Sequence, residues 1–536
     1  MIWTQDYDPL GSLFISTLVA LIPIAFFFWA LAVKKMKGHI AGLSTVLIAV
    51  VISVVAYGMP VGMAVTSTVY GALTGLWPIG WIVINAVFLY KITVKTGQFD
   101  IIRSSITTLT DDRRLQVLLI AFSFSGFIEA AAGFGTPVAI AAALLVGLGF
   151  KPLYAAGLCM IANTAPVAFG AIGIPVITAA KTTGLAANDI AAVAGLQLGI
   201  LAVIVPFWVV FAMAGFKGVM EVLPAILVSG LSFGITMWAA ATFMGPELPA
   251  IIASLVSLVA LALFLKVWQP AKVFRFADEA KATIDTKVNY TSGQILKAWS
   301  PFIALTGFIT LWGIPSVKDA LKSFNIAIPV PGLDNLVMKA APIVAEPTPY
   351  AAVYTFDWLA AAGTGILLAA LLSMFLVGMS FSQWVSTYFE NLRDLTFPLI
   401  TIACVLGFAY IANYSGMSAT LGLAAAKTGG FFPFFAPILG WLGVFLTGSD
   451  TSSCALFGNL QKITADQIGV SSTLTVAANA TGGVAGKMIS PQSLAVAAAS
   501  TGLVGREAEI FRYTLKHSIG MVLVLSLMTY VMSFMF

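Results

Sequence analysis

Histidine and cysteine are scarce in this chain, with two and three residues among 536. His39 and His517 fall at the edges of apolar runs, which excludes a histidine-based metal centre or haem ligation. Cys159, Cys404 and Cys454 each stand alone inside an apolar segment, so there is no disulfide framework and no C-x-x-C pair. Charge is equally thin. Asp, Glu, Lys and Arg make up 9% of the residues, against roughly a quarter in soluble domains. No Ser-His-Asp, metal-ligand or dinucleotide-binding constellation is present to support an enzyme. The net charge of +5 is spread over short connections and is not a nucleic-acid footprint.

Apolar residues fill the space that charge vacates. The chain is 60% hydrophobic, its mean hydropathy is +0.99, and a bilayer crossing needs about 20 apolar residues. Fifteen apolar runs, from 12–33 to 516–535, recur nearly end to end. Two stretches are weaker: 60–76 is Gly/Thr-rich, and 449–468 is too polar for an ordinary lipid-facing helix. The expected fold is an all-α polytopic membrane protein with 12 to 16 transmembrane helices, some broken or re-entrant. The acidic "MIWTQDYDPL" followed by a long apolar run argues for a retained first helix, not a cleaved signal. Lys and Arg cluster at 34–39, 91–114, 151, 217, 268–297 and 505–517. The positive-inside bias puts those connections in the cytoplasm and the N-terminus outside. The stretch 380–394, "SFSQWVSTYFENLRD", reads as a surface amphipathic helix.

One stretch, "ANATGGVAGKMISP" (478–491), sets three glycines, a proline and a lysine where a membrane helix should run. It is not a P-loop: Met488 follows Gly486-Lys487, and Thr481 occupies the first glycine position. Its counterpart lies at 163–175, where Asn163, Gly170 and Pro175 match Asn479, Gly486 and Pro491 at a constant offset of 316 positions. Upstream, 126–135 resembles 448–458, and 95–99 resembles 414–418. These matches predict two inverted repeats, 78–185 and 395–503. They divide the chain into N-terminal helices (1–77), the first repeat, connecting helices (186–394, with a cytoplasmic loop 268–294 and an external loop 314–356), the second repeat, and a C-terminal helix (504–536).

Repeats of this kind bind substrate where paired helices unwind, because free backbone N–H groups at half-helix N-termini attract anions. Asn163, Thr164, Asn479, Thr481, Ser490 and Gln492 supply neutral polar groups beside the two breaks. Ionisable groups at membrane depth are few, as expected from an insertion cost of about 2.5–3.5 kcal/mol each. Glu129 lies in "FIEAAAGFGTP". Asp450 lies among Ser449, Thr451 and Ser452 in "TGSDTSSC", and Lys487 lies in the second break. A buried carboxylate can take up a proton near neutral pH, so Glu129 and Asp450 are the candidate proton-coupling groups. The bland alternatives are that Asp450 caps a helix, that Lys487 snorkels, and that the glycines serve close helix packing.

"FIEAAAGFGTPVAIAAALLVGLGFKPLYAAGLCMIANTAPVAFGAIGIP" and "GWLGVFLTGSDTSSCALFGNLQ…AANATGGVAGKMISPQS" resemble the signature stretches of the bacterial L-lactate permease family. The resemblance runs over nearly the whole chain. It implies a proton symporter of L-lactate, glycolate and related 2-hydroxymonocarboxylates in the bacterial cytoplasmic membrane, with no cofactor. It leaves the oligomeric state open. On this expectation the substrate carboxylate meets Asn163, Asn479 and Lys487, its hydroxyl meets a neutral group such as Ser449, Thr451 or an asparagine amide, and Glu129 or Asp450 carries the proton. A sodium-coupled or exchanging carboxylate carrier is the alternative. Two departures stand out. Ala130 follows Glu129 where the family resembles E-G, and Leu196-Gln197 stands where it resembles R-Q, so an arginine is missing.

Overall fold

The computed structural model describes residues 2–34, 36–107, 109–131, 133, 136–276, 290–504 and 506–535; residues 277–289 of the 268–294 loop lie outside them. Among these residues, eleven helices are long and apolar enough to cross a membrane. Pro152–Ala162 with Val167–Thr183, bent by 67°, makes a twelfth. The fold is therefore a multi-pass helical membrane protein, as its hydropathy requires.

Two of the longest helices form an antiparallel brace. Val61–Lys95 runs 35 residues, with extended backbone at Trp77 (φ −137°, ψ 123°), and Phe381–Ser415 also runs 35. Gly71 packs against Leu406 and Tyr410, and Asn391 donates to the Ile84 carbonyl at 2.9 Å. At the far end Lys91 pairs with Asp394, and Lys95 with Glu390 at 2.8 Å. The stretch at 60–76 is thus the first half of a longer span. The stretch at 380–394 is no separate surface helix, because its acids find lysine partners across the brace. Residue 77, expected as a boundary, falls at the extended break in the first of these helices, and residue 394 falls inside the second.

Each brace helix ends on a left-handed glycine, Gly97 (φ 70°) or Gly416 (φ 91°), a conformation that costs other residues about 1–2 kcal/mol. A ten-residue helix follows in each case, Gln98–Thr107 or Met417–Ala426. Each is then followed by a helical hairpin. In the first, Arg113–Ala131 is answered by Thr136–Gly147. In the second, Phe432–Thr447 turns at Gly448 (φ 72°) into Asp450–Ile468, and Ser453 and Gln461 bond back to the carbonyls of Gly440 and Ala436 at 3.1 and 2.9 Å. The polarity of 449–468 serves these contacts within the protein. A broken helix closes each series: 152–183, then Ser472–Lys487 with Pro491–Thr501.

The first hairpin is anchored by Arg114, fully buried. Its guanidinium binds Asp112 at 2.8 Å and Glu221 at 2.6 Å and donates to the Lys272 carbonyl at 3.1 Å. The 314–356 segment is not all loop. It carries the helix Pro315–Lys322 and four short strands. Val337–Lys339 pairs with Thr348–Tyr350 and with Trp3–Thr4 from the N-terminus, and Ile326–Pro329 pairs with Val353–Phe356. These strands are a small departure from an all-α fold.

Candidate functional site

The two breaks differ in construction. At the first, the backbone leaves the helix after Ala162. It then passes through three consecutive left-handed residues, Ala171 (φ 44°), Ile172 (φ 61°) and Gly173 (φ 73°). Side chains at the first two are strained there, and such strain clusters at functional sites. At the second, the helix runs unbroken through Gly482, Gly483 and Gly486 and stops at Lys487; only Met488–Ser490 interrupt it. The glycines there serve packing. A Cβ on Gly482 would collide with the Pro437 carbonyl, and one on Gly486 with that of Trp441.

Both breaks and both hairpin turns meet at one cavity of about 730 Å³. Glu129 and Gly133 reach it from the first hairpin. Gly170, Ala171 and Ile174 come from the first break, Gly448 to Ser452 from the second hairpin, and Lys487 and Gln492 from the second break. The first broken helix, where it resumes at Ile174, and the helices Asp450–Ile468 and Pro491–Thr501 all present N-terminal residues to it. Three helix N-termini with partial positive charge therefore converge on one space. Its rim includes His39, Lys91, Phe397 and Pro398, near the basic connections that the sequence puts in the cytoplasm.

Charge in the cavity is organised around Lys487. Its Nζ pairs with Glu129 Oε1 at 2.6 Å, and the two side chains are 14% and 3% exposed. Asn163 Nδ2 donates to Glu129 Oε2 at 2.9 Å, and Ser125 Oγ donates to Asn163 Oδ1 at 3.2 Å. Gly170 is needed beside this pair, since a Cβ there would lie 2.8 Å from Glu129 Oε1. Asp450 is buried as the first residue of its helix, and its Oδ2 has no hydrogen-bond partner among the described residues. The cap is Ser449, whose hydroxyl accepts from the Ser452 N–H at 3.2 Å. Asp450 is thus not the capping residue, and Lys487 does not snorkel.

Glu129, Ser449, Asp450, Thr451, Ser452, Lys487 and Gln492 line the cavity together. Asn163 and Thr164 sit behind it, against a void of about 10 Å³ shared with Lys487. Asn163 reaches the cavity only through Glu129. Three other expected site residues do not line the cavity. Asn479 Oδ1 accepts from Gln461 Nε2 at 3.3 Å, and the Asn479 backbone packs on Gly440. Thr481 donates to Gln197 Oε1 at 2.6 Å. Ser490 is fully buried and caps Pro491–Thr501, accepting from the Ser493 N–H at 3.3 Å. Ser125 and Gly133 were not singled out in the sequence. A serine four residues before the glutamate on the same helix was the available signal. Among the described residues, no group of three His, Cys, Asp or Glu side chains is placed to hold a metal ion.

A model of the L-lactate permease family matches residues 16–536. The chain belongs to that family. It is 56% identical over 527 residues to the L-lactate permease of Salmonella typhimurium, covering 97% of this chain and 96% of the relative. It is 54% identical over 551 residues to the glycolate permease GlcA of Escherichia coli, covering 100% and 98%. The L-lactate permease of Bacillus subtilis is 53% identical over 563 residues, covering 100% and 99%. In fold, the chain is similar to the solved structure of MtrF from Neisseria gonorrhoeae, with a TM-score of 0.50 at 11% identity, covering 92% of this chain and 94% of that one. Permease relatives point to a transporter and away from an enzyme. Gln197, beside the place where the family resemblance suggested an arginine, is fully buried and donates to Thr529 at 3.1 Å. In this family member that position ties the second broken helix to the last helix, away from the cavity.

Proposed function

We propose that the chain imports L-lactate and related 2-hydroxymonocarboxylates, glycolate and D-lactate among them, by proton symport across the bacterial cytoplasmic membrane. The names of its relatives support the substrate class. The observation that carries the mechanism is the Lys487–Glu129 pair at the convergence of three helix N-termini. A substrate anion drawn to those N-termini finds Lys487 already committed to Glu129. A proton on Glu129 neutralises it and leaves the Lys487 ammonium for the substrate carboxylate. Proton and substrate then load together, with no change in net charge at the site. Asp450, which lines the cavity beside Ser449 and Thr451 and whose buried Oδ2 lacks a partner among the described residues, is the acceptor we assign to the substrate's 2-hydroxyl.

We read the two series of brace helix, short helix, hairpin and broken helix as the inverted repeats expected from the sequence, extended upstream to include the braces. Rocking of one set against the other would expose the cavity alternately.

The test is radiolabelled L-lactate uptake by the purified protein in sodium-free proteoliposomes, under an imposed pH gradient, with and without a potassium-valinomycin potential. Accumulation driven by the pH gradient and unmoved by voltage is expected, since only net charge feels about 2.3 kcal/mol per 100 mV. Uptake that needs Na⁺, or a carboxylate on the trans side, would overturn the proton mechanism in favour of the sodium-coupled or exchanging alternative.

A further inference from the structure

A second cavity, of about 460 Å³, lies at the opposite end of the same helices. Gly170–Thr183 lines the central cavity with Gly170 and Ile174 and the second one with Lys181 to Gly184. Asp450–Ile468 lines the first with Asp450 to Ser452 and the second with Asn459, Lys462 and Asp466. From Ser452 to Asn459 is about 10 Å along a helix, and that interval is closed. Gly458 packs under Thr182 and Thr183, so closely that a Cβ there would lie 3.2 Å from Thr182 Oγ1. The rims are far apart as well. Gln5 borders the second cavity and Met36 the first, with the 20-residue helix Leu13–Ala32 between them.

The second cavity is unusually cationic for a protein with so little charge. Lys181, Lys339 and Lys462 line it against a single carboxylate, Asp466, which Lys462 engages at 2.5 Å. The Lys339 ammonium stands 4.0 Å over the Tyr350 ring. Burial, with Lys462 nearby, holds it below the ordinary lysine range, as expected of a cation short of anionic partners. Lys181 is exposed and makes no ion pair among the described residues. Tyr410 and Asn459 add polar groups to the walls.

We infer that this second cavity is an entry site for small carboxylate anions, loaded from the side of the 314–356 segment, about 10 Å from the central cavity. Lys181 and Lys339 supply the attraction, and Thr182, Thr183 and Gly458 form the closed interval the anion must pass. The inference rests on reading the chain as a carboxylate permease, and it adds a second binding site on the substrate's route.

Sided transport kinetics test it. L-lactate KM would be measured for the wild type, K181Q, K181Q/K339Q and the charge-keeping K181R/K339R. Right-side-out membrane vesicles report entry from this side, and inside-out vesicles report entry from the other. In right-side-out vesicles, loss of both charges is expected to raise KM about threefold to fivefold, the range of partly exposed ion pairs. In inside-out vesicles KM is expected to hold. The arginine pair is expected to restore the wild-type value, and added KCl to raise the wild-type KM more than that of K181Q/K339Q. An unchanged KM in right-side-out vesicles would overturn the entry site, as would an equal rise from both sides, which a merely structural role would give. A wild type that moves no lactate from either side would instead overturn the permease reading beneath it.

Discussion

Lys487 and Glu129 lie 358 positions apart in the chain, and Nζ and Oε1 meet at 2.6 Å. The contact joins the turn of the first hairpin to the end of the helix that breaks in the second series. Neither charge is independent of the other, since each is nearly out of solvent and each compensates its partner. Asn163, from the first broken helix, holds the second carboxylate oxygen. Three separately placed interruptions are therefore locked by one carboxylate, and whatever changes its charge acts on all three.

Breaking this pair from the lysine side should be severe. Removing one member of a buried ion pair leaves an uncompensated charge, typically at a cost of about 3–5 kcal/mol. K487M is expected to lower the thermal unfolding midpoint in detergent markedly. The double variant E129Q/K487M, with no orphan charge, is expected to regain most of the loss while staying inactive. A double variant as unstable as K487M would show that the pair is not the source of the effect.

Replacing the glutamate alone separates coupling from passage. E129Q keeps an oxygen for Asn163 and a neutral group beside Lys487, which is the protonated state made permanent. Lactate counterflow is expected to survive within about tenfold of wild type, while pH-driven accumulation falls to the equilibrium level. E129Q vesicles that still concentrate lactate under a pH gradient would remove Glu129 from the coupling step.

The membrane class, most helices and the charged trio Glu129, Asp450 and Lys487 were legible in the sequence, because apolar runs are long and charges at depth are few. The unlikeness of the two breaks was not. Gly482, Gly483 and Gly486 look the same on paper whether a helix unwinds or two helices touch, and only the Pro437 and Trp441 carbonyls lying against them decide it. For the same reason Asn479 and Thr481 read as site residues, although their partners, Gln461 and Gln197, lie 18 and 284 positions away. The braces were missed because the acidic face of 381–394 looks solvated until Lys91 and Lys95 are set beside it.

The glycine contacts can be tested without touching the cavity charges. G482A places a methyl group against the Pro437 backbone, which cannot move without shifting the whole second hairpin. Overpacking of this kind costs typically 1–3 kcal/mol, so a clear drop in the unfolding midpoint is expected. Gly62 is also in a helix but has nothing within 4 Å of its Cβ position, and G62A is expected to be neutral or slightly stabilising. Equal effects from the two variants would mean that close approach is not what Gly482 provides.

Asp450 is the second carboxylate at the cavity, and among the described residues its buried Oδ2 has no hydrogen-bond donor. A 2-hydroxy acid brings one. A hydrogen bond to a charged acceptor is worth about 1.5–3 kcal/mol, so the wild type should prefer lactate to propionate, which lacks the hydroxyl, by roughly tenfold to a hundredfold in KM. In D450N the acceptor is neutral and the amide can turn its N–H₂ toward the substrate. The preference is expected to shrink to a fewfold, chiefly through weaker lactate binding, with the pH-driven accumulation ratio kept. Competition of propionate against labelled lactate, run in parallel with accumulation measurements, separates the two carboxylates. If D450N abolishes accumulation and leaves the lactate preference intact, Asp450 carries the proton and the roles assigned to it and Glu129 must be exchanged.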